Sequence, residues 1–209
     1  MFCTQQCLRK ELFAKSACIK LLIIGFTSLL MACAYSPQQI TINPIVNVSG
    51  ESYGRNLPVV VVVEDVRENK IIGSRGGAYP ATSIITVAND ISAAIKRSAI
   101  SKLAVQGFSV NTGLGISDEQ GVTFKILLDE LTYDKPKDPL DKKVYLGAAM
   151  RAEVRYRGKT FTGQYKTQSQ SVALVVPNVK KNEKLINKLL STTLERLFSD
   201  QKLQAFMAE

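Results

Sequence analysis

Histidine and tryptophan are both absent from this chain of 209 residues. Without histidine, the chain can build neither a Ser-His-Asp nor a Cys-His nucleophile, and no metal site can use an imidazole ligand. Carboxylates, lysine, tyrosine, serine and threonine are the side chains left for catalysis. Eight phenylalanines and seven tyrosines supply the whole aromatic content, enough to line a modest pocket. These absences exclude the commonest nucleophilic hydrolase chemistries.

Cysteine is also scarce, and its placement is informative. Cys3, Cys7 and Cys18 lie at the start of the chain, and Cys33 directly follows the apolar run LLIIGFTSLLMA at 21–32. Four positive charges precede this run: Arg9, Lys10, Lys15 and Lys20. A run of about a dozen apolar residues is too short to cross the bilayer core as a permanent anchor. The pattern is typical of a signal segment that is removed.

The residues at the end of the run, Leu30-Met31-Ala32-Cys33, form the lipobox of a bacterial lipoprotein signal. This motif predicts that residues 1–32 are removed as a signal peptide. Cys33 then becomes the first residue of the mature protein, with acyl chains such as palmitate on its sulfur and amino terminus. An ordinary signal peptide and a single anchoring helix are the alternative interpretations.

With the signal removed, Cys33 is the only cysteine of the mature chain. One mature molecule can therefore form neither a disulfide nor a cysteine-based metal site. We expect no cofactor and no metal centre.

Residues 33–56 are predicted to form a lipidated tether followed by an edge strand. Pro37 disfavours helix in the polar stretch after the cysteine. The alternation in ITINPIVNV, residues 40–48, indicates a strand whose proline is tolerated at a sheet edge. In bacterial lipoproteins, which this segment resembles, an aspartate after the lipidated cysteine retains the protein at the inner membrane. Because Ala34 occupies that position, we expect the protein at the periplasmic face of the outer membrane.

The continuous β-branched run LPVVVVV at 57–63 predicts a strand at the centre of a sheet. Asp65 and Arg67 follow this strand two residues apart, so their side chains share one face. Two interpretations stay open for them. They form a structural ion pair, or they contact a ligand or partner.

Two amphipathic helices are predicted from apolar residues at helical spacing. The first begins after an Asn89 cap and ends before Gly107; the second begins after Asn178 or Asn182 and ends at about Ser199. Four lysines crowd the first turns of the second helix: Lys180, Lys181, Lys184 and Lys188. Such a run is usually a solvated face, but it opposes the helix dipole. The lysines therefore remain candidate contacts for an anionic lipid or glycan.

The clearest structural pattern is a hairpin. Apolar and polar residues alternate from Val144 to Tyr156, and Arg157-Gly158 forms a two-residue link. If Tyr156 faces Lys159, apolar side chains meet on one face and polar side chains on the other. The predicted pairs are Val154 with Phe161, Met150 with Tyr165, Glu153 with Thr162, and Arg151 with Gln164.

Together these elements predict an α+β fold, an antiparallel sheet of about four to five main strands with two amphipathic helices packed on one face. Residues 57–209 are long enough for a single domain with a proper core, which we expect in the periplasm. The chain has 27 basic and 18 acidic residues, a net charge of +9. This surplus favours anionic partners, although its spread along the chain indicates mainly a role in solubility. We expect no nucleic-acid partner.

Three short motifs stand out along the predicted mature chain. They are the lipobox followed by Ile40-Thr41-Ile42-Asn43-Pro44, the strand end Asp65-Val66-Arg67 with Ile72-Gly73 after it, and the helix end Gln106-Gly107-Phe108-Ser109-Val110. Together they resemble the YajG-type uncharacterised lipoproteins of Gram-negative bacteria. The resemblance covers nearly all of the mature chain. It implies an outer-membrane-anchored periplasmic α+β domain with no established reaction.

Three functions are consistent with these features. The first is a non-catalytic binding or assembly subunit of the cell envelope, with envelope proteins as partners. The second is an auxiliary lipoprotein that binds lipid, lipopolysaccharide or peptidoglycan for a transport or secretion machine. The third is a carboxylate-based glycan hydrolase, which needs two acidic groups about 5–10 Å apart. Asp65, Asp129 and Glu130 are its candidates, but nothing in the sequence brings two of them together, so we expect a non-enzyme.

Overall fold

The structure of the chain, a computed structural model, describes residues 36–47, 52–76, 80–111, 120–136, 141–173 and 177–209. Cys33 and the predicted signal segment lie outside the described residues. The strands are β1 (Gln38–Ile40), β2 (Pro58–Asp65), β3 (Gly73–Ser74), β4 (Ile84–Val87), β5 (Ser109–Asn111), β6 (Val122–Asp134), β7 (Lys143–Tyr156) and β8 (Lys159–Val172). The helices are α1 (Ile91–Val105), α2 (Val179–Phe198) and α3 (Gln201–Ala208), and a 3₁₀ turn covers Pro80–Thr82.

Strand β6 organises the sheet. One of its edges pairs antiparallel with β7 along nearly its whole length, and β7 pairs antiparallel with β8. The other edge is shared, because its first half pairs parallel with β2 and its end pairs parallel with β3. β5 extends the sheet beyond β2, while β4 and β1 extend it beyond β3. The sheet therefore has a long hairpin on one side of β6 and two short wings on the other.

The α+β class is confirmed, but two details of the predicted sheet are wrong. The described part of the chain forms eight strands rather than four or five, and the sheet is mixed rather than antiparallel. Strand β2 is parallel to both of its neighbours, β5 and β6. The helix α1 lies between β2 and β5 in the chain, and a helical crossover brings the second strand back in the same direction. Four of the strands have only two to four residues, too few for a hydrophobic period to identify.

The core lies between the sheet and the helices. Val59 of β2, Phe124 of β6 and Met150 of β7 are buried there with apolar residues of α1 and α2. The third helix, α3, was not predicted. It adds Leu203 and Met207 to the same core, and two buried positions in eight residues are too few to show a helical period.

The β7–β8 hairpin has the predicted register at every predicted pair. Its link adopts positive backbone angles at both positions, with φ of 50° at Arg157 and 71° at Gly158. A two-residue type I′ turn requires positive φ at both central residues. The alternation of the strand therefore determined the pairing, even with an arginine where asparagine is usual.

One predicted helix cap is wrong and the other is confirmed. Helix α1 is capped by Asp90, which accepts a hydrogen bond from the Ala93 N–H at 3.0 Å. Asn89 instead binds the backbone of Ile42, accepting from its N–H at 2.8 Å and donating to its carbonyl at 3.0 Å. Helix α2 is capped by Asn178, one of the two predicted candidates.

The predicted edge strand at 40–48 is confirmed only in part. Strand β1 does lie at an edge of the sheet, but it covers Gln38–Ile40, and residues 41–47 run along α2 instead. We call residues 41–47 the docked segment. The N–H groups of its alternate residues donate to side chains spaced four apart on α2: Thr41 to Glu183, Asn43 to Asn187, Ile45 to Ser191 and Asn47 to Glu195. Two extended residues advance about 6.7 Å and four helical residues advance about 6.0 Å, so the two periods stay matched over four pairs.

The docked segment also contacts α1. Besides the two hydrogen bonds between Asn89 and Ile42, the Ser98 hydroxyl donates to the carbonyl of Pro44. Ile42 is fully buried. The alternation in this part of the sequence does correspond to alternating buried and exposed side chains, but the backbone N–H groups bind helix side chains instead of a neighbouring strand. No helix in the described ranges is long and apolar enough to cross a membrane.

Candidate functional site on the open face of the sheet

One face of the sheet carries the helices, and the other, which we call the open face, carries mostly polar side chains. Residues of β7 alternate between the two faces, with Met150 in the core and Arg151 on the open face. The cross-strand pairs place polar groups of β6 and β8 on either side of β7. Most of the β8 residues on this face are exposed. The open face is therefore a solvated surface.

A β-bulge in β6 brings two successive carboxylates to the open face. The register against β7 shifts between Leu128 and Glu130, which leaves Asp129 as the extra residue. Asp129 accepts hydrogen bonds from Arg151 Nε and Nη2 at 2.9 and 2.8 Å, and Glu130 Oε1 accepts one from Thr132 Oγ1 at 3.3 Å. On a regular strand these two carboxylates would point to opposite faces.

Beyond the bulge, the open face forms a groove of about 470 Å³. Its side chains come from three adjacent strands: Glu130, Thr132 and Asp134 of β6, Tyr145 of β7, and Gln168 and Gln170 of β8. Gly147 lies between them. A Cβ atom at this position would lie 2.7 Å from Thr132 Oγ1 and 3.3 Å from Glu130 Oε1. The glycine therefore keeps the groove open.

The groove has an acidic and amide-rich lining, although the whole chain is basic. Two carboxylates, one phenol and two amides line it, and no lysine or arginine is among its lining residues. Tyr145 is 39% exposed, so its ring is accessible. Such a lining suits hydrogen-bond donors and positively charged groups.

A second, smaller groove of about 250 Å³ lies at the other end of the open face. It has charges of both signs, since Lys125, Glu153 and Arg155 line it. Lys125 Nζ also lies 3.0 Å from Glu64 Oε1. The charges at this end are thus largely balanced within the protein.

Asp65 and Arg67 form an ion pair at the end of β2. Arg67 Nε and Nη2 donate to the two carboxylate oxygens of Asp65 at 2.8 and 2.9 Å, and the side chains are only 4% and 15% exposed. Lys70 Nζ lies 3.2 Å from the same carboxylate. This geometry favours the structural interpretation of the two residues. A ligand or partner contact by them stays a prediction.

Two opposing effects act on the pKa of Asp65. Burial raises it, but the hydrogen bonds and charge of Arg67, with the hydrogen bond from Lys70, together hold the pKa below its usual value. Arg67 Nη1 is buried and has no hydrogen-bond partner within the described protein. The carboxylate of Asp65 is therefore the main group that balances the buried positive charge of Arg67.

The carboxylates named for a hydrolase are all engaged in structural contacts. Asp65 pairs with Arg67, and its lowered pKa is the opposite of what a general acid requires. Asp129 is held by Arg151, and Glu130 accepts from Thr132. No group of three or more acidic or cysteine side chains within the described ranges could hold a metal ion.

The four lysines predicted as candidate contacts are all exposed on α2. Lys180, Lys181 and Lys184 lie in its first two turns, and Lys188 follows one turn later beside the docked segment. Cys33, the predicted lipidation site, lies outside the described residues.

The sequence did not identify the groove. Gly147 is the one glycine of β7 and lies on its polar face, which is a signal that a flat or concave surface exists there. The bulge did leave a signal that sequence reasoning missed, because the buried apolar positions of β6 shift from even numbers up to Leu128 to odd numbers at Leu131 and Tyr133. The convergence of β6, β7 and β8 on one groove became visible only in the structure.

Comparisons with known proteins identify both a family and a fold. Residues 44–208 match a family model described as "Uncharacterized lipoprotein". No curated protein matches the chain. Protein XCC0632 from Xanthomonas campestris has a similar crystal structure, with a TM-score of 0.53 and 8% identity over 82% of this chain and 97% of that chain. The rare lipoprotein B from Shewanella oneidensis gives a TM-score of 0.47 and 8% identity over 71% and 96% of the two chains. The first of these similarities shows a shared fold.

Proposed function

This chain belongs to the YajG-type family of uncharacterised lipoproteins, and from that membership we propose that it is a lipid-anchored, non-catalytic binding or assembly subunit of the cell envelope. The observation that carries the proposal is the open face with its groove of about 470 Å³. A solvated, concave surface lined by polar side chains can supply the direct hydrogen bonds that a protein–protein interface carries. The description of the family names no reaction.

The proposed location follows from the predicted anchor. Acyl chains on Cys33 hold the domain at a bilayer, and Ala34 in place of aspartate directs it to the outer membrane. The domain then lies on the periplasmic side, where partner proteins of the envelope are available. The open face is free to receive them because the core-forming helices pack on the other face.

The chemistry of the groove defines the kind of partner. Glu130 and Asp134 supply negative charge, while Gln168 and Gln170 supply amide groups that both donate and accept hydrogen bonds. A protein segment with lysine or arginine side chains satisfies this lining. Tyr145 offers an exposed aromatic anchor beside them, and tyrosine is one of the residue types enriched among the residues that dominate binding energy at interfaces.

The test is co-purification from detergent-solubilised membranes. We expect the wild type to retain a reproducible envelope protein, and the double substitution Glu130→Lys with Tyr145→Ala to lose it. The control is Glu68→Lys, which makes the same change of charge at an exposed glutamate outside the groove. This variant should retain the partner. A strictly monomeric wild type, or equal retention by both variants, would contradict the proposal.

A second function is favoured by one specific observation, the exposed lysines of α2. They suit an auxiliary lipoprotein that binds an anionic lipid or glycan for a transport or secretion machine. The two functions are compatible, because the lysines and the groove lie on different elements.

A further inference from the structure

We propose that the first two turns of α2 rest on the anionic phospholipid headgroups of the leaflet that holds the acyl anchor. The contact surface, which we call the lysine face, consists of Val179, Lys180, Lys181 and Lys184. The inference depends on the proposed acylation of Cys33. It adds an orientation of the domain on the membrane, which the proposed function does not specify.

The first argument is where the chain enters the domain. The Gln38 amide donates to the Pro177 carbonyl at 3.3 Å and accepts from Asn182 Nδ2 at 2.7 Å. Gln38 is 5% exposed and Asn182 is fully buried. These hydrogen bonds fix residue 38 beside the start of α2. The entry point of the domain and the lysine face are therefore neighbours.

The second argument is the length of chain that remains free. The docked segment is held by hydrogen bonds to α2 from Thr41 onward, and β1 pairs with β4 from Gln38. Only residues 34–37 then separate the acylated residue from the fixed chain. Five Cα–Cα steps from residue 33 to residue 38 span at most about 18 Å. The start of α2 must accordingly stay close to the headgroup region.

The third argument is the chemistry of the surface itself. The three lysines are exposed, and Val179 is 37% exposed among them. Glu183 is the single carboxylate in these turns, and its Oε1 accepts the Thr41 N–H, so it is engaged with the docked segment. Exposed lysine combined with an exposed apolar side chain is typical of surfaces that lie on anionic membranes.

The position of the lysines on α2 also favours an anionic surface. Positive charge at a helix N-terminus opposes the helix dipole and destabilises the helix slightly. Phosphate groups placed against this end offset both the dipole and the crowded lysines. Phospholipid is a more suitable partner than a distant glycan, because the short free chain keeps the start of α2 close to the headgroups.

The absence of other cysteines in the mature chain makes the orientation measurable. Acylation leaves no free thiol, so Val179→Cys and Ser199→Cys each create a unique site for a fluorophore. The two sites lie at opposite ends of α2, about 30 Å apart. The acylated mature protein is reconstituted into vesicles of phosphatidylcholine with phosphatidylglycerol, and a headgroup-attached quencher reports proximity.

We expect the fluorophore at position 179 to be quenched several-fold more than the one at 199 in anionic vesicles. The difference should shrink in pure phosphatidylcholine and at high salt, because salt screens the attraction. The substitutions Lys180→Glu, Lys181→Glu and Lys184→Glu together should weaken the contact on the order of a hundredfold and abolish the difference. Lys96→Glu, Arg97→Glu and Lys202→Glu, with the same change of charge elsewhere, should preserve it.

Equal quenching at both positions in anionic vesicles would overturn the inference while leaving the anchor and the groove intact. The same holds if the lysine substitutions leave the difference unchanged. Binding of purified peptidoglycan that requires the lysines, without a quenching difference, would assign the lysine face to a glycan and also overturn the inference. A protein that fails to associate with any vesicle would contradict the acylated anchor itself, and with it both proposals.

Discussion

At the scale of single residues, Asp65 and Arg67 form an ion pair whose two charged side chains are largely buried. The guanidinium has almost no access to water, and the carboxylate with its two hydrogen bonds is its main compensation. A buried charge that loses its partner destabilises a protein far more than the intact pair stabilises it. The pair is for this reason a sensitive position of the fold.

Replacing Asp65 by asparagine should lower the free energy of unfolding by about 3 kcal/mol at neutral pH, because Arg67 stays buried without its counter-charge. Urea denaturation followed by circular dichroism measures this change. Asp129→Asn is the matched control on the open face. Its effect should be smaller, since Arg151 is 40% exposed and keeps contact with water.

The same variant should change how stability depends on pH. The pKa of Asp65 is lowered in the folded state, so the unfolded state binds the proton more readily. The ion pair therefore stabilises the wild type above about pH 4, the ordinary pKa of an aspartate. That stabilisation is lost as the pH falls further, and the gap between wild type and Asp65→Asn should narrow. A gap that stays constant down to acid unfolding would contradict this assignment.

At the scale of elements, the docked segment is the unusual feature of the fold. Its backbone is hydrogen-bonded to helix side chains, where an edge strand would use a neighbouring strand. Asn187 makes two of these bonds, accepting from the Asn43 N–H at 2.6 Å and donating to the Thr41 carbonyl at 2.9 Å.

Asn187→Ala should destabilise the protein by about 1–2 kcal/mol, since two partly solvated hydrogen bonds are lost. Amide hydrogen exchange at Asn43 should become faster, which separates local detachment of the segment from global unfolding. Lys188→Ala, the exposed neighbour, should change stability by less than about 0.5 kcal/mol. Unchanged exchange at Asn43 in Asn187→Ala would show that the side-chain ladder does not hold the segment.

The hairpin and the docked segment show which contacts can be predicted from the sequence and which cannot. The pairs of β7 with β8 follow from one local alternation, and the register of both strands was predicted. The docked segment has the same kind of alternation, but its partners lie 142 to 148 residues away on a helix. No pattern within residues 41–47 distinguishes a helix surface from a strand as the neighbour.

The candidate site was less accessible to sequence reasoning than the fold. Asp65, Arg67 and the four lysines of α2 were identified because charges stand out against apolar runs. The groove depends on Gly147, the bulge after Leu128 and amides of β8, and none of these features reveals by itself which neighbouring strand it faces. Only the side-by-side placement of three strands gives them a common role.

At the scale of the whole molecule, the predicted anchor determines where the domain acts. Cys33→Ser should release the protein from membranes into the soluble periplasmic fraction after signal cleavage, because the acyl chains have no other attachment point. Ala34→Asp should keep the lipid but move the protein to the inner membrane. Fractionation of membranes by density, with detection of the protein in each fraction, measures both outcomes. Wild-type distribution of either variant would contradict the corresponding part of the anchor.

The long separation between the docked segment and α2 has a consequence for folding. The side chains from Glu183 to Glu195 that bind residues 41–47 lie 142 to 148 residues later in the chain, so they are synthesised after it. Until α2 forms, this part of the chain can be held only by β4, Asn89 and Ser98. Attachment of the docked segment to α2 is therefore a late step of folding.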